Sequence, residues 1–319
     1  MMQAIVYKKY GTADVLECQT VPLPTIKKGF VRIQNEFSSI NPIDWKIRAG
    51  QLRPLSGITP PQRCGSDVAG TVIELGTGVT RFNLGDRVYG FVNPIGGGAF
   101  AEQVCVSEKK LALIPDSLTF EQAAVIPLAG LTAYDALTRV SAVQSGECVL
   151  INGCAGGVGV MAVQIAKILG AYVIGVCSAG NRALALSIGV DEVVDYQQHP
   201  ALDTVDSVDV FFDVVSNRSF SAMRFLLSER GRYVNTLPNP KGLLLNPLLN
   251  LFHRQQSKTV MVKSSGAALS RLNVWIDAGN LKPIIESTYS MSDMARAQNK
   301  SESGHVKGKL AIQIGANSC

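Results

Sequence analysis

The sequence predicts a two-domain α/β protein whose second domain is a doubly wound parallel sheet. Two textures carry that expectation. Up to about residue 115 the chain is a β region punctuated by glycine and proline, and beyond Pro115 short apolar strands alternate with helices. The 319 residues are 46% hydrophobic and 17% charged, with 30 Gly and 14 Pro. That apolar content offsets the entropy of folding, and the length exceeds one small core.

In the first region the apolar runs are short: Ala4 to Tyr7, Val31 to Ile33, Val68 to Leu75, Arg87 to Val92 and Phe100 to Val106. After Pro115 the stretch Glu121 to Ala136 reads as one alanine-rich helix. Glu147 to Asn152 reads as a strand, Val158 to Leu169 as a helix ended by Gly170, and Tyr172 to Cys177 as a strand. Asn181 to Ile188 is helical, Glu192 to Asp195 extended, Val208 to Asp213 a buried strand, Ser219 to Ser228 a helix and Arg232 to Thr236 a strand. Past about residue 265 come helices Ala267 to Ala278 and Ser292 to Asn299, then a strand from Lys309 to Ile314. This return to β texture predicts that the tail rejoins the first domain. The expected domains are 1–117 completed by 266–319, and 118–265.

Charge and cysteine usage exclude several classes. The net charge is +5 and no basic run exceeds two residues, too diffuse for a nucleic-acid footprint. Seven cysteines, at 18, 64, 105, 148, 154, 177 and 319, contain no Cys-x-x-Cys pair, so neither a disulfide framework nor a zinc ribbon is indicated. No secretory leader or uninterrupted apolar span is visible, and a cytoplasmic protein is expected.

Between a predicted strand and a predicted helix lies Gly153-Cys154-Ala155-Gly156-Gly157-Val158-Gly159. Glycines in that context let a backbone approach a pyrophosphate while the helix N-terminus supplies free N–H groups and positive partial charge. The spacing Gly-x-x-Gly-x-x-Gly departs from the usual Gly-x-Gly-x-x-Gly, so the strand–turn–helix setting carries the reading. Gly153, Ala155, Gly156, Gly157, Val158 and Gly159 are the expected cofactor residues.

The next strand ends without the acidic residue that would hold a free ribose 2′-hydroxyl. It continues instead into Ser178 and Arg182, which suit a 2′-phosphate and favour NADPH over NADH. Arg182 read blandly is a solvated helix residue. Tyr196 either flanks the same phosphate or caps a packed edge. Asp213, at the carboxyl end of a strand, lies where open parallel sheets bind ligands.

Several segments together resemble one family. They are Ser39-Ile40-Asn41-Pro42-Ile43-Asp44, Gly65-Ser66-Asp67-Val68-Ala69-Gly70, Gly85-Asp86-Arg87-Val88-Tyr89-Gly90, Gly98-Ala99-Phe100-Ala101-Glu102, Leu128-Ala129-Gly130-Leu131-Thr132-Ala133-Tyr134, the glycine turn and Gly308-Lys309-Leu310. In family order over nearly the whole chain, these resemble the zinc-independent medium-chain dehydrogenase/reductases of the quinone oxidoreductase and zeta-crystallin branch. The alkenal/enone reductases and organellar quinone-oxidoreductase homologues are the nearest groups. The resemblance implies a GroES-like β domain beside a Rossmann domain, with nicotinamide in the cleft between them, and a homodimer.

Zinc-dependent members of that family place Cys, His and Cys around a catalytic metal. The matching positions here are Asn41, Ser66 and Leu128. Zinc needs thiolate, imidazole or carboxylate ligands, so no metal is expected. His199, His253 and His305 are scattered and read as surface or packing residues.

Without a metal, hydride delivery from NADPH to a quinone, or to the β-carbon of an α,β-unsaturated ketone or aldehyde, is the natural reaction. An enone gaining hydride develops enolate charge that calls for a donor or cation. Lys46 is the expected source, with Asn41 and Thr132 as the polar pair at the substrate or cofactor. Some quinone reductases carry tyrosines where this chain has Lys46 and Leu52. For Lys46 the competing reading is a solvated side chain, and for Asp44 it is a structural hydrogen bond. Phe91, Val92 and Asn93 line either the acceptor pocket or the core.

Two other functions stay open: enoyl-thioester reduction, and an NADPH-binding sensor or structural protein with little turnover. The apolar segment 242–252 suggests a buried lid or a subunit contact ahead of a membrane contact.

Overall fold

A computed structural model of the chain describes residues 1–53, 59–60, 62–93, 96–198, 202, 205–237, 250 and 254–315. Two compact units are present: residues 1–131 with 263–319, and residues 132–262.

The first unit is mostly antiparallel. One sheet runs in the order Ile285–Ser290, Lys309–Gln313, Phe30–Ser39, Asp67–Leu75, Arg87–Phe91, Leu111–Leu113, and Gln103–Ser107 also pairs with Phe30–Ser39. A second sheet joins Leu16–Val21, Met2–Tyr7 and Gln62–Arg63. Alternation along Phe30–Ser39 sends Val31 and Ile33 into a core with Val68, Val72, Val88, Val92 and Val104. The terminal strand Lys309–Gln313 pairs antiparallel with Phe30–Ser39, Ala311 standing opposite Ser39. Chain end and first third are thereby stitched into one sheet.

The second unit is a six-stranded, all-parallel sheet in the order Glu192–Asp195, Tyr172–Cys177, Cys148–Asn152, Val208–Asp213, Leu227–Asn235, Gln256–Thr259. Numbered along the chain this is 3-2-1-4-5-6, the doubly wound dinucleotide-binding order. Its three central strands, Tyr172–Cys177, Cys148–Asn152 and Val208–Asp213, are mostly apolar, as a sheet covered on both faces requires, while the edge strand Gln256–Thr259 is polar. Leu150, Ile174, Phe211 and Tyr233 meet in its core, the last two rings edge to face at 5.5 Å between centroids.

Three sequence expectations are corrected. The helix expected over Glu121 to Ala136 is three pieces, Phe120–Ala124, Pro127–Tyr134 and a π-helical segment Asp135–Val140. Pro127 has no N–H to continue the first piece and so begins the second. The helix expected over Ser219 to Ser228 stops at Met223, and strand pairing claims Leu227 onward. Cys18 is disulfide-bonded, whereas Cys64, Cys105, Cys148, Cys154 and Cys177 are free. His199, His253 and, apart from Asn250, the apolar segment 242–252 lie outside the described residues.

Candidate active site

In the parallel sheet the strand order reverses between Cys148–Asn152 and Val208–Asp213, and ligands of such sheets bind beyond the carboxyl ends at that point. The glycine turn starts there. Gly153 has φ +84°, and a Cβ on it would meet Val215 Cγ2 at 2.6 Å. Its N–H and that of Cys154 donate to Val176 O at 3.0 and 3.2 Å, folding the turn back on the neighbouring strand.

Gly156 is the N-cap of helix Gly157–Ile168 and no side chain caps it, so the first N–H groups of that helix are available to an outside acceptor. A Cβ on Gly159 would lie 2.1 Å from Gly153 O; one on Gly156 would lie 3.6 Å from the same oxygen. Gly159 therefore closes the turn on itself, while Gly156 leaves its outer side bare. Ala155 is buried beneath them, and Gly157 and Val158 are half-buried. This cradle fits a dinucleotide pyrophosphate.

Asp213 is fully buried. Its carboxylate accepts from Asn152 Nδ2 at 2.8 Å, Ser216 N at 2.9 Å, Tyr233 OH at 2.9 Å and Arg218 N at 3.0 Å. These donors match a carboxylate's capacity of about four. Asp213 thus braces the loop 214–218, in which Ser216 has φ +57°.

Ser178, Arg182 and Tyr196 lie beyond the carboxyl ends of strands Tyr172–Cys177 and Glu192–Asp195. Ser178 Oγ accepts from Asn181 Nδ2 at 3.3 Å, exposed Arg182 donates to Val193 O at 3.4 Å, and Tyr196 N donates to Cys177 O at 3.3 Å with its ring 43% exposed. Sequence reasoning missed Asp195, which register sets beside Cys177. Its carboxylate turns into its own loop, accepting from Gln197 N at 3.0 Å.

The first unit holds a buried polar cluster. Asn41, the N-cap of helix Pro42–Arg48, donates its backbone N–H to Asp44 Oδ2 at 2.8 Å and its Nδ2 to Asp67 Oδ2 at 2.8 Å. Ser66 Oγ donates to Asp44 Oδ1 at 2.7 Å, Ser39 Oγ to Asp67 Oδ2 at 2.6 Å, and Leu128 N to Asp67 Oδ1 at 2.9 Å. Lys309 Nζ, from the last strand, donates to Asn41 Oδ1 at 2.6 Å and Ile40 O at 2.7 Å, and stands 3.6 Å from Asp67 Oδ2.

Burial pushes the Asp44 carboxyl up to about 7, outweighing the hydrogen bonds from Ser66 and Asn41; the Asp67 charge adds to the rise and Lys309 opposes it. Burial likewise lowers the Lys309 ammonium from the usual lysine range, against the pull of Asp67 and Asp44.

Lys46 stays outside this cluster. Half-buried, its ammonium lies 5.4 Å from the centre of the Trp45 ring, and desolvation lowers its pKa. Thr132 is 7% exposed, one turn beyond Leu128 in helix Pro127–Tyr134.

Comparison with known proteins agrees with this geometry. The alcohol dehydrogenase GroES-like domain model matches residues 27–116, and the zinc-binding dehydrogenase model matches 188–312. The chain is 33% identical to the chloroplast envelope quinone oxidoreductase homolog of Arabidopsis thaliana over 98% of both chains. It belongs to the medium-chain dehydrogenase/reductase family, in its quinone oxidoreductase branch.

Identity to the NADPH-dependent alkenal/one oxidoreductase of Arabidopsis thaliana is 32%, over 98% of this chain and 79% of that one. The quinone oxidoreductase structure from Coxiella burnetii superposes with a TM-score of 0.90 at 30% identity, covering 98% of this chain and 99% of the other. The two units are accordingly the GroES-like and Rossmann domains of this family of oxidoreductases.

Within this family member, Asn41, Ser66 and Leu128 all bond the carboxylates of Asp44 or Asp67. The chemistry of Asp67 and Lys309 escaped sequence reasoning, although both stand in the motifs that carried the resemblance. Phe91 and Val92 are each 5% exposed, and Val92 packs in the first unit's core. His305 is exposed. Among the described residues no helix is long and apolar enough to cross a membrane.

Proposed function

We propose that the chain is a zinc-independent, NADPH-dependent reductase acting on a quinone or on the β-carbon of an α,β-unsaturated carbonyl. The observation that carries the metal-free part is the cluster around Asp44 and Asp67. An amide, a hydroxyl and an aliphatic side chain stand where zinc-dependent relatives hold their ligands, and the nearby carboxylates are taken up by Asn41, Ser66, Ser39, Leu128 N and Lys309.

NADPH, when bound, supplies the hydride. The bare side of Gly156 and the N–H groups opening helix Gly157–Ile168 support a pyrophosphate site, with Gly153, Ala155, Gly157, Val158 and Gly159 shaping it. Ser178, Arg182 and Tyr196 support a 2′-phosphate, as does the NADPH dependence in the name of the alkenal/one oxidoreductase relative. Asp213 braces the adjoining loop.

Lys46 stabilises and protonates the enolate or hydroquinone oxygen, its lowered pKa making the ammonium a better acid. Asn41, clamped by Asp67 and Lys309, and Thr132 orient the reacting groups. In solution the chain forms a homodimer, which light scattering on the purified protein tests.

The deciding assay follows loss of reduced-nicotinamide absorbance with chelator-dialysed protein, NADPH against NADH, on 1,4-quinones, 2-alkenals, alkenones and an enoyl-CoA. Turnover of quinones or enones that survives dialysis and prefers NADPH is expected. Turnover of enoyl-CoA alone, or activity restored only by zinc, would refute the proposal.

A further inference from the structure

Two thiols sit inside the glycine cradle. Cys154, second residue of the turn, is fully buried, and Cys177, last residue of strand Tyr172–Cys177, is 3% exposed. The Cys154 sulfur lies against Gly175, only 2.8 Å from where a Cβ on that glycine would stand. Residues 175 and 177 face the same side of their strand, so the space that glycine leaves at 175 seats the Cys154 sulfur on the face that carries Cys177. The backbone N–H of Cys154 donates to Val176 O at 3.2 Å, which holds the turn against the end of that strand, and both thiols are free.

We propose that Cys154 and Cys177 form an oxidisable dithiol whose disulfide closes the dinucleotide site. The effect on the cofactor rests on the reading of the glycine turn given above; formation of the disulfide does not. Cys154 as a thiol donor beside it holds the Cys177 thiol below the ordinary cysteine range, and the same pairing with burial pushes Cys154 up. Burial and the Asp195 carboxylate oppose this at Cys177, and Arg182 assists it. Cys177 is therefore the nucleophile.

With hydrogen peroxide as oxidant, the Cys177 thiolate attacks one peroxide oxygen. The S–O bond forms, the O–O bond breaks, and the other oxygen leaves as water after taking a proton. The Cys154 sulfur then attacks the sulfenic sulfur. An S–S bond forms, the S–O bond breaks, and the departing hydroxide takes the Cys154 proton as a second water. Two thiols lose two electrons and peroxide gains them.

Bonded sulfurs stand about 2.05 Å apart, so closure pulls Cys154 toward the strand. The turn has no slack to absorb this, because Gly159 already packs its Cα against Gly153 O and Cys154. The N–H groups around Gly156 shift off the pyrophosphate, and losing one charge-assisted hydrogen bond weakens binding by roughly tenfold or more.

The test treats the reduced protein with hydrogen peroxide, maps disulfides by peptide mass spectrometry and measures NADPH affinity by fluorescence before oxidation, after it and after dithiothreitol. A Cys154–Cys177 link, weaker NADPH binding and recovery on reduction are expected. Cys177→Ser and Cys154→Ala, each compared with itself with and without oxidant, are expected to lose the response. Thiols that stay reduced, or that link to Cys148 instead, overturn the dithiol, and a link that leaves NADPH affinity unchanged overturns the gating. A link in protein that never binds NADPH supports the dithiol and refutes the reading of the turn.

Discussion

Alanine placed at Gly156 and at Gly159 separates a cofactor contact from a fold requirement. At Gly159 the new methyl would lie 2.1 Å from Gly153 O and 2.7 Å from the Cys154 carbonyl carbon. Ordinary carbon–oxygen contacts exceed these by about 1 Å, so the turn itself must move. Overpacking of this kind costs roughly 1–3 kcal/mol, and unfolding temperature and NADPH affinity should fall together.

At Gly156 the methyl meets nothing nearer than 3.6 Å, and φ is −83°, comfortable for alanine. Stability should hold. The methyl then stands where a pyrophosphate must approach the backbone, and loss of one or two charge-assisted hydrogen bonds, each about 1.5–3 kcal/mol, predicts NADPH binding weaker by roughly tenfold to twenty-thousand-fold. Calorimetric titration with NADPH, beside thermal unfolding of the same samples, reads both quantities. A Gly156→Ala protein that binds NADPH as tightly as the parent would refute the pyrophosphate site.

Three further outcomes follow from the same geometry. Lys46→Met should lower kcat by roughly a hundredfold, the lower end for a lost general acid, while NADPH affinity stays put; unchanged kcat removes Lys46 from the reaction. Asp213→Ala removes the acceptor shared by Asn152, Tyr233, Ser216 N and Arg218 N, leaving Asn152 only Asn217 and Tyr233 only Arg218 O, at about 3 kcal/mol or more, and should lower the unfolding temperature and weaken NADPH binding. For Asp44, the folded pKa of about 7 exceeds the ordinary 3.8. Its contribution is therefore complete below pH 3.8 and lost as pH rises through 7, with a ceiling of roughly 4 kcal/mol. Thermal unfolding of Asp44→Asn should show a flatter decline between pH 5 and 8 than the parent, and identical slopes would contradict the assignment.

Short-range signals carried much of this protein. Alternating Val31 and Ile33, the buried runs 148–152, 172–177 and 208–213, and the glycines at 153, 156 and 159 each state their structure within a few residues, because strand period, helix period and the close approaches of a tight turn are local properties. The absence of zinc-type side chains at Asn41, Ser66 and Leu128 is equally readable once those positions are matched. What lay beyond reach was pairing at a distance. Lys309 clamps Asn41 from 268 residues away, Asn152 and Tyr233 converge on Asp213 from distant strands, and Cys154 is held against the end of strand Tyr172–Cys177 by Val176 O. No period or spacing encodes which buried donor finds which acceptor; the strand order of the two sheets does, and that order exists only after the chain has folded.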